Sequence, residues 1–239
     1  MKESLKSIAR MIDHSLLHPT LTDQELLAGC QLARKYDVAA VCIKPYAISL
    51  AEEALSGSGV KVASVVGFPH GCSRIEVKLK EAELAIHDGA AELDMVVNIG
   101  KVLSKDWSYI SDEIQSLNEL VQSRGVILKV IFENDFLPGD EFKSTLCHLC
   151  NTSKVGFVKT STGYGYIRQL DGKYDYRGAT DQDLILMRRE CVDFIQVKAA
   201  GGIRTLDDIL RVKALGVTRV GATATESILS EAIKRGYDS

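Results

Sequence analysis

The sequence predicts an α/β protein, a (β/α)8 or TIM barrel formed by a single domain over residues 1–239. Short apolar runs alternate with amphipathic helical patterns, eight such runs can be counted, and the chain has the length of one barrel. Eight strand–helix units most often close into a barrel, and an open doubly wound sheet is the alternative. No Gly-x-Gly-x-x-Gly follows an early strand, so a dinucleotide-binding domain has no support.

The predicted strands are four to seven residues long, rich in β-branched residues and bounded by Gly, Pro or polar breaks. They cover residues 11–16, 38–43, 61–67, 91–97, 127–132, 156–159, 194–198 and 218–221. Continuous apolar runs are typical of strands that are buried on both faces, so the sheet is expected to be parallel.

The segments between the strands carry apolar residues at helical spacing. Two helical faces are predicted to be buried, one formed by Ile75, Leu79, Ala82 and Ile86 and the other by Ile110, Ile114, Leu117 and Val121. Three capping boxes are expected to begin helices: Thr22 with Glu25, Ser73 with Glu76, and Thr223 with Glu226. Three glycines that precede strands are expected to end helices: Gly89, Gly125 and Gly216.

Composition and charge exclude several classes of protein. The net charge is −3 and the pI is about 6.0, so no basic excess attracts nucleic acid or an anionic membrane. Charges interrupt every apolar run near the N-terminus, which predicts a soluble, cytoplasmic protein. The six scattered cysteines are expected to be reduced thiols. Cys147 and Cys150 flank His148, but no second ligand pair accompanies them and no metal site is expected.

Three charged residues lie in or at the end of predicted strands: Asp94, Lys159 and Lys198. Barrel enzymes carry their active sites at the C-terminal ends of the strands. A surface residue or a plain ion pair is the alternative interpretation for each side chain. However, lysine and aspartate are rarely buried unless they are paired or functional, and here two lysines come from consecutive strands. The pattern therefore indicates an active site.

Two lysines and a carboxylate suit Schiff-base chemistry. A lysine that attacks a carbonyl must be neutral, whereas an ordinary lysine pKa of about 10.4 leaves very little free amine at pH 7. A second ammonium within about 4–6 Å disfavours the charged form of the first. A nearby carboxylate such as Asp94 can then carry protons between the intermediates.

Two glycine-rich turns after the last two predicted strands are expected to bind phosphate. Gly201, Gly202 and Gly221 would let backbone N–H groups approach an anion, and Thr223 is expected to open a helix. Barrels often bind phosphate at this location. The alternative is that these glycines form tight turns and that Thr223 serves only as a helix cap.

At these positions the sequence resembles the deoxyribose-phosphate aldolases, a family of class I aldolases. The matching segments are residues 12–17, 41–43, 67–69, 92–100, 158–163 and 197–204, and the likeness continues to the turn at Gly221. The resemblance implies reversible cleavage of 2-deoxy-D-ribose 5-phosphate to D-glyceraldehyde 3-phosphate and acetaldehyde. It implies no metal and no organic cofactor.

The resemblance also implies roles for individual residues. Lys159 would form the Schiff base, Lys198 would be the neighbouring ammonium, and Asp94 would be the acid/base group. Asp13 would orient groups or relay protons near Lys198. The residues expected to face the substrate or its phosphate are Thr162, Gly163, Gly201, Gly202, Gly221 and Thr223.

Three departures from the family pattern concern the phosphate end. Tyr164 stands where some members carry a basic residue, Thr223-Ala224 has one hydroxyl fewer than usual, and the loop from Tyr164 to Gly178 is long. We therefore consider whether a cation from this loop binds the phosphate, with three candidates: Arg168, Lys173 and Arg177. Tyr237, close to the C-terminus, is a further candidate for the active site.

Other functions remain open from sequence. Another class I aldolase with a different donor is one alternative. A phosphosugar isomerase or a non-catalytic sugar-phosphate binder on the same barrel is another. The partners expected are small phosphorylated sugars and aldehydes, and the chain is a possible homodimer or homotetramer.

Overall fold

A closed barrel of eight parallel strands forms the centre of the computed structural model, which describes residues 4–168 and 170–237. The strands in chain order are β1 Ile12–Leu16, β2 Ala40–Ile43, β3 Lys61–Val66, β4 Glu92–Val96, β5 Ile127–Ile131, β6 Phe157–Lys159, β7 Ile167–Arg168, β8 Tyr174–Asp175, β9 Gln196–Ala200 and β10 Arg219–Ala222. Strands β7 and β8 form a separate antiparallel hairpin, and the other eight form the barrel.

The pairing of the first and last strands closes the barrel. Ile12 of β1 lies opposite Val220 of β10, so the open doubly wound sheet is wrong and the barrel prediction is confirmed. Each of the eight predicted runs overlaps one barrel strand. The last two strands continue past their predicted ends, because Ala200 still pairs with Gly221 and Ala222 with His14.

Helices surround the barrel and bury their apolar faces against it. They are α1 Leu5–Ala9, α2 Asp23–Tyr36, α3 Ile48–Leu55, α4 Ile75–His87, α5 Ile99–Leu103, α6 Trp107–Gln122, α7 Asp140–Ser153, α8 Asp181–Glu190, α9 Leu206–Ala214 and α10 Thr225–Lys234. The predicted face of α6 is fully buried, and that of α4 is buried at Ala82 and partly buried at its other positions. None of the helices in the described ranges is long and apolar enough to cross a membrane.

One of the three predicted capping boxes is present. Thr22 caps α2, and its backbone N–H donates to Glu25 over 2.8 Å. The boxes at Ser73 and Thr223 are wrong. Helix α4 begins at Ile75 and helix α10 at Thr225, so each starts two residues after the predicted cap residue, and neither has a side-chain cap. The acidic residues of both predicted boxes form other ion pairs, as Glu226 does with Lys35.

The predicted helix-ending glycines are confirmed. Gly89, Gly125 and Gly216 adopt φ values of 113°, 70° and 87°, a backbone conformation in which a side chain would be strained. Each follows a helix and precedes a strand.

His14 connects the barrel to its last helix. It lies on β1 and points away from the barrel interior, where its Nδ1 atom lies 2.8 Å from the hydroxyl of Thr225 at the start of α10. Burial lowers the pKa of His14 from 6.5 to about 4, because the charged ring would lose its hydration. The folded state therefore favours a neutral imidazole at this position.

We expect stability to depend on the protonation of His14. Because the pKa is lower in the folded state, the contribution of the neutral ring is complete above pH 6.5 and declines as the pH falls towards 4. By pH 4 the loss should approach about 3 kcal/mol, at about 1.4 kcal/mol for each pKa unit. Urea unfolding at several pH values between 7 and 4 should show a smaller decline for His14→Asn than for the wild type.

His87→Asn is the matched control, because the His87 side chain is 85% exposed. Its stability should decline with pH as the wild type does. Equal pH dependence in His14→Asn and the wild type would contradict the assignment.

Candidate active site

A cavity of about 190 Å³ opens at the C-terminal ends of β1, β2, β6, β9 and β10. It is smaller than the roughly 300–1,000 Å³ typical of sites for drug-sized ligands, which suits a small metabolite. Among its lining residues are eight that the sequence predicts for the site: Lys159, Lys198, Thr162, Gly163, Gly201, Gly202, Gly221 and Thr223. The other two predicted residues, Asp13 and Asp94, are fully buried and in contact with the lining lysines.

Asp94 holds the two lysines of the cavity together. Its Oδ2 atom accepts from the Nζ atoms of Lys159 and Lys198, each over 2.8 Å. The two nitrogens are therefore separated by no more than twice 2.8 Å, which is within the range of a strong Coulombic interaction. The predicted juxtaposition of two lysines and one carboxylate is what the structure contains.

A second carboxylate, Asp13, lies behind Lys198. Lys198 donates to Asp13, and Arg219 donates to the other oxygen of Asp13 over 2.6 Å. Arg219 also donates to Glu92 over 3.0 Å. The predicted position of Asp13 beside Lys198 is thus found, and Arg219 and Glu92 extend the set of charges across the barrel.

Lys129 is fully buried within this set of charges. Its Nζ atom is 2.7 Å from Asp94 Oδ1, 2.7 Å from Glu92 Oε2 and 3.5 Å from Asp13 Oδ2. We call the complete set the ion-pair cluster: Asp13, Glu92, Asp94, Lys129, Lys159, Lys198 and Arg219.

The ion-pair cluster contains four bases and three acids. Among the described residues Lys159 is in ion-pair contact with one carboxylate, Asp94, whereas Lys198 contacts two and Lys129 contacts three. Arg219 also contacts two, so Lys159 has the fewest ion-pair partners of the four bases. Lys159 is also the base that reaches the cavity with a single ion pair.

Four members of the cluster are held in their charged forms: Asp13, Asp94, Lys129 and Lys198. Burial raises the pKa of Asp94, but the surrounding lysines outweigh burial and hold that pKa well below its ordinary value. The pKa of Asp13 is likewise low despite burial, chiefly because of Lys198. Burial opposes the charge on Lys198, yet Asp13 and Asp94 raise its pKa above the ordinary value. The pKa of Lys129 is raised for the same reason.

Strand register places these side chains together. Lys159 of β6 lies opposite Lys198 of β9, and Asp94 of β4 lies opposite Lys129 of β5. Residues opposite each other on adjacent strands point to the same face, so each pair enters the barrel side by side. The alternation of side chains along β4 likewise turns both Glu92 and Asp94 inwards.

Lys129, Glu92 and Arg219 were not predicted as site residues. The sequence prediction did not take up the charges of these strand positions, although Lys129 lies in the middle of β5 opposite Asp94, and Glu92 and Arg219 begin β4 and β10. The sequence did contain a signal for Lys129, because this lysine interrupts an otherwise apolar strand. A charge in such a run must point inwards to a partner or outwards between helices.

The two predicted phosphate turns lie at one side of the cavity. Gly201 and Gly202 adopt φ values of 88° and 82°, so both positions favour glycine. Thr223 lies on the lining, and α10 begins at Thr225 without a side-chain cap. Arg204 lies on the same lining and supplies a cation that the sequence prediction missed.

The three loop cations considered for phosphate binding do not line this cavity. Lys173 forms an exposed ion pair with Asp171, and the Arg177 guanidinium lies 3.6 Å from Asp135. Arg168 is exposed on β7. Gln169, in the same loop, lies outside the described residues. Tyr237 packs against the main apolar core and is also not on the lining.

A buried carboxylate positions Thr162. Glu133 has a left-handed backbone with φ 55°, and its carboxylate accepts from both the backbone N–H, over 3.2 Å, and the hydroxyl of Thr162. Tyr164 in turn donates its backbone N–H to the Thr162 hydroxyl over 2.9 Å. Burial raises the pKa of Glu133. The turn after β6 is thereby fixed next to Lys159.

Comparison with known proteins places this geometry in a family. A deoxyribose-phosphate aldolase from Rhodopirellula baltica is 49% identical over 228 residues, which cover 95% of this chain and 90% of that protein. A deoxyribose-phosphate aldolase from Caldanaerobacter subterraneus subsp. tengcongensis is 42% identical over 98% of this chain and 97% of its own length.

A solved structure from Aeropyrum pernix, described as a tetrameric deoxyribose phosphate aldolase, superimposes with a TM-score of 0.82. It is 29% identical, and the match covers 97% of this chain and 92% of that one. The family model for DeoC/LacD family aldolases matches residues 7–223, which include every member of the ion-pair cluster. The chain therefore belongs to the DeoC/LacD family of aldolases.

Proposed function

We propose that the protein is a class I aldolase that reversibly cleaves 2-deoxy-D-ribose 5-phosphate to D-glyceraldehyde 3-phosphate and acetaldehyde, with Lys159 as the Schiff-base lysine. One observation carries the assignment of the lysine: Lys159 reaches the cavity while sharing one carboxylate oxygen with the ammonium of Lys198. Membership of an aldolase family and the names of the relatives support the reaction.

The first half of the reaction forms the covalent intermediate. The neutral amine of Lys159 attacks C1 of the open-chain sugar, so that a C–N bond forms and the carbonyl oxygen takes up a proton. The resulting carbinolamine loses water to give the iminium ion. Asp94 is the carboxylate in contact with the Lys159 nitrogen, so it is placed to accept and return protons at this atom.

The second half of the reaction breaks the carbon–carbon bond. Loss of the proton on the C3 hydroxyl turns that carbon into an aldehyde, and the C2–C3 bonding electrons move into the iminium to give an enamine. Glyceraldehyde 3-phosphate leaves, and C2 is protonated. Water then hydrolyses the new iminium, which releases acetaldehyde and regenerates the amine of Lys159.

Lys198 acts through its charge. Asp13 and Asp94 keep Lys198 protonated, so a positive charge stays beside Lys159 throughout the reaction. This charge disfavours a second ammonium nearby and thereby favours the free amine of Lys159. Asp13 is thus a positioning residue, since it acts on the reaction by holding Lys198.

The phosphate group is assigned to the end of the cavity formed by Gly201, Gly202, Arg204 and Thr223. Backbone N–H groups, a guanidinium and a hydroxyl are donors that suit a phosphate dianion. No observation favours another aldolase, an isomerase or a sugar-phosphate binder. The homo-oligomer expected from sequence stays a prediction, and the relative described as tetrameric supports it.

Borohydride trapping tests the covalent intermediate. Incubation with 2-deoxyribose 5-phosphate and sodium borohydride should reduce the imine to a stable secondary amine. Intact-protein and peptide mass spectrometry should find the adduct on Lys159, and Lys159→Met should show none. Turnover by the wild type without an adduct, or an adduct on another lysine, would overturn the assignment.

The charge of Lys198 gives a second test. In Lys198→Leu the ion-pair cluster keeps three bases and three acids, so we expect the fold to survive by circular dichroism. The Lys159 amine should regain its proton, and kcat should fall by about 100-fold or more. Raising the pH should restore part of the lost activity, which a purely structural role of Lys198 would not explain.

Lys198→Arg is the conservative control for this test. It keeps a positive charge near Asp13 and Asp94, and it should retain more activity than Lys198→Leu at neutral pH. Near-normal kcat in Lys198→Leu would refute the role of the charge without affecting the fold.

A further inference from the structure

The long loop after β6 carries a hairpin whose second arm lies against the phosphate turn. This arm comprises residues 174–178 and follows β7 and the hairpin turn. The backbones of Gly178 and Gly201 are in direct contact, since a Cβ atom on Gly178 would lie 2.5 Å from the carbonyl oxygen of Gly201. Ala179 donates its backbone N–H to the same carbonyl over 3.1 Å. The arm is therefore joined to the turn that we assign to phosphate.

Asp135 also binds this arm, through hydrogen bonds to its backbone. It lies in the short 3-10 helix Asn134–Phe136 after β5, and its side chain is 1% exposed. Its carboxylate accepts from the backbone N–H groups of Arg177, over 2.8 Å, and Gly178, over 2.9 Å. A buried carboxylate that binds two successive backbone N–H groups fixes the course of the chain at this point.

Tyr176 is the side chain that this anchoring places over the site. It lies on the cavity lining, and its Cε2 atom is 3.4 Å from the position a Cβ atom would take on Gly201. The edge of its ring packs against Tyr166, with the ring centroids 5.2 Å apart and the planes at 84°. The ring is thus held on two sides, next to the turn of Gly201 and Gly202.

We propose that Tyr176 is a specificity-determining residue that binds the phosphoryl group of the substrate through its phenol O–H. The inference rests on the proposed function, because it needs the phosphate to lie at Gly201 and Gly202. Among the described residues on this lining, Arg204 is the one cationic side chain apart from the two cluster lysines. One guanidinium leaves some phosphate oxygens free to accept from a neutral donor such as the Tyr176 phenol. Tyr176 lies at the phosphate end, whereas the reacting atoms lie at Lys159, so it should affect binding more than the chemical step.

The test compares substrates with and without the phosphate. For Tyr176→Phe, the KM for 2-deoxyribose 5-phosphate should rise by about tenfold, at the low end of what a hydrogen bond to a charged group contributes. The kcat for this substrate and the kcat/KM for 2-deoxyribose should stay within twofold of the wild type. Inorganic phosphate, used as a competitive inhibitor, should bind Tyr176→Phe more weakly by a similar factor.

Tyr174→Phe is the matched control, because Tyr174 lies in the same hairpin, is 67% exposed and is not on the lining. It should behave as the wild type with both substrates. Asp135→Asn weakens the anchor of the arm without altering the Tyr176 side chain itself. Because Tyr176 would then be held less firmly at the phosphate end, the KM for the phosphorylated substrate should rise without a fall in the kcat/KM for 2-deoxyribose.

Two outcomes would overturn the proposal. One is an unchanged KM and an unchanged inhibition constant for phosphate in Tyr176→Phe. The other is an equal loss with both substrates, which would indicate a structural role. Failure of the proposed function itself is distinguishable, since the wild type would then cleave neither substrate and would give no borohydride adduct.

Discussion

The protein depends on the burial of seven charged side chains inside its barrel, with one more base than acid. Burial of charge is costly unless every group is paired, and the loss of one partner can cost about 3–5 kcal/mol. Here three carboxylates bridge four bases, and each carboxylate contacts at least two of them. The bases therefore outnumber the acids by one, and Lys159 is the base with the fewest ion-pair partners.

The barrel is well suited to maintain this arrangement. Parallel strands carry inward side chains at every second residue, so charges from distant parts of the sequence meet in layers. Arg219 and Lys198 are register partners on β10 and β9, as Lys198 and Lys159 are on β9 and β6. The three neighbouring strands β10, β9 and β6 thus each place one base at the same level of the barrel. The acids enter from β1 and β4, on either side of these three strands.

Much of the fold and the centre of the site could be predicted, for different physical reasons. Strand and helix periodicity and the helix-ending glycines are local properties, and they led to the correct barrel. Asp94, Lys159 and Lys198 could be selected because a charge in or at the end of a buried strand is rarely accidental. By contrast, Thr223 with Glu226 satisfied the local pattern of a capping box, yet β10 continues to Ala222 and α10 begins at Thr225.

Other parts of the site depend on contacts that sequence spacing does not report. The contact of Glu133 with Thr162 and that of Asp135 with the hairpin arm join segments 29 and about 42 residues apart. Tyr176 was therefore inaccessible to pattern analysis, which selected the cations of the loop because phosphate is an anion. Whether Tyr176 or a cation of the loop lines the cavity depends on which face of the hairpin is turned towards it.

The backbone contact between Gly178 and Gly201 makes substrate range separable from catalysis. A side chain at either position would push the hairpin arm off the turn while leaving the charged interior of the barrel untouched. Under the proposed function, such a change would weaken recognition of the sugar phosphate. The proposed phosphate end and the ion-pair cluster lie at different places, so one can be altered by point mutation without rebuilding the other.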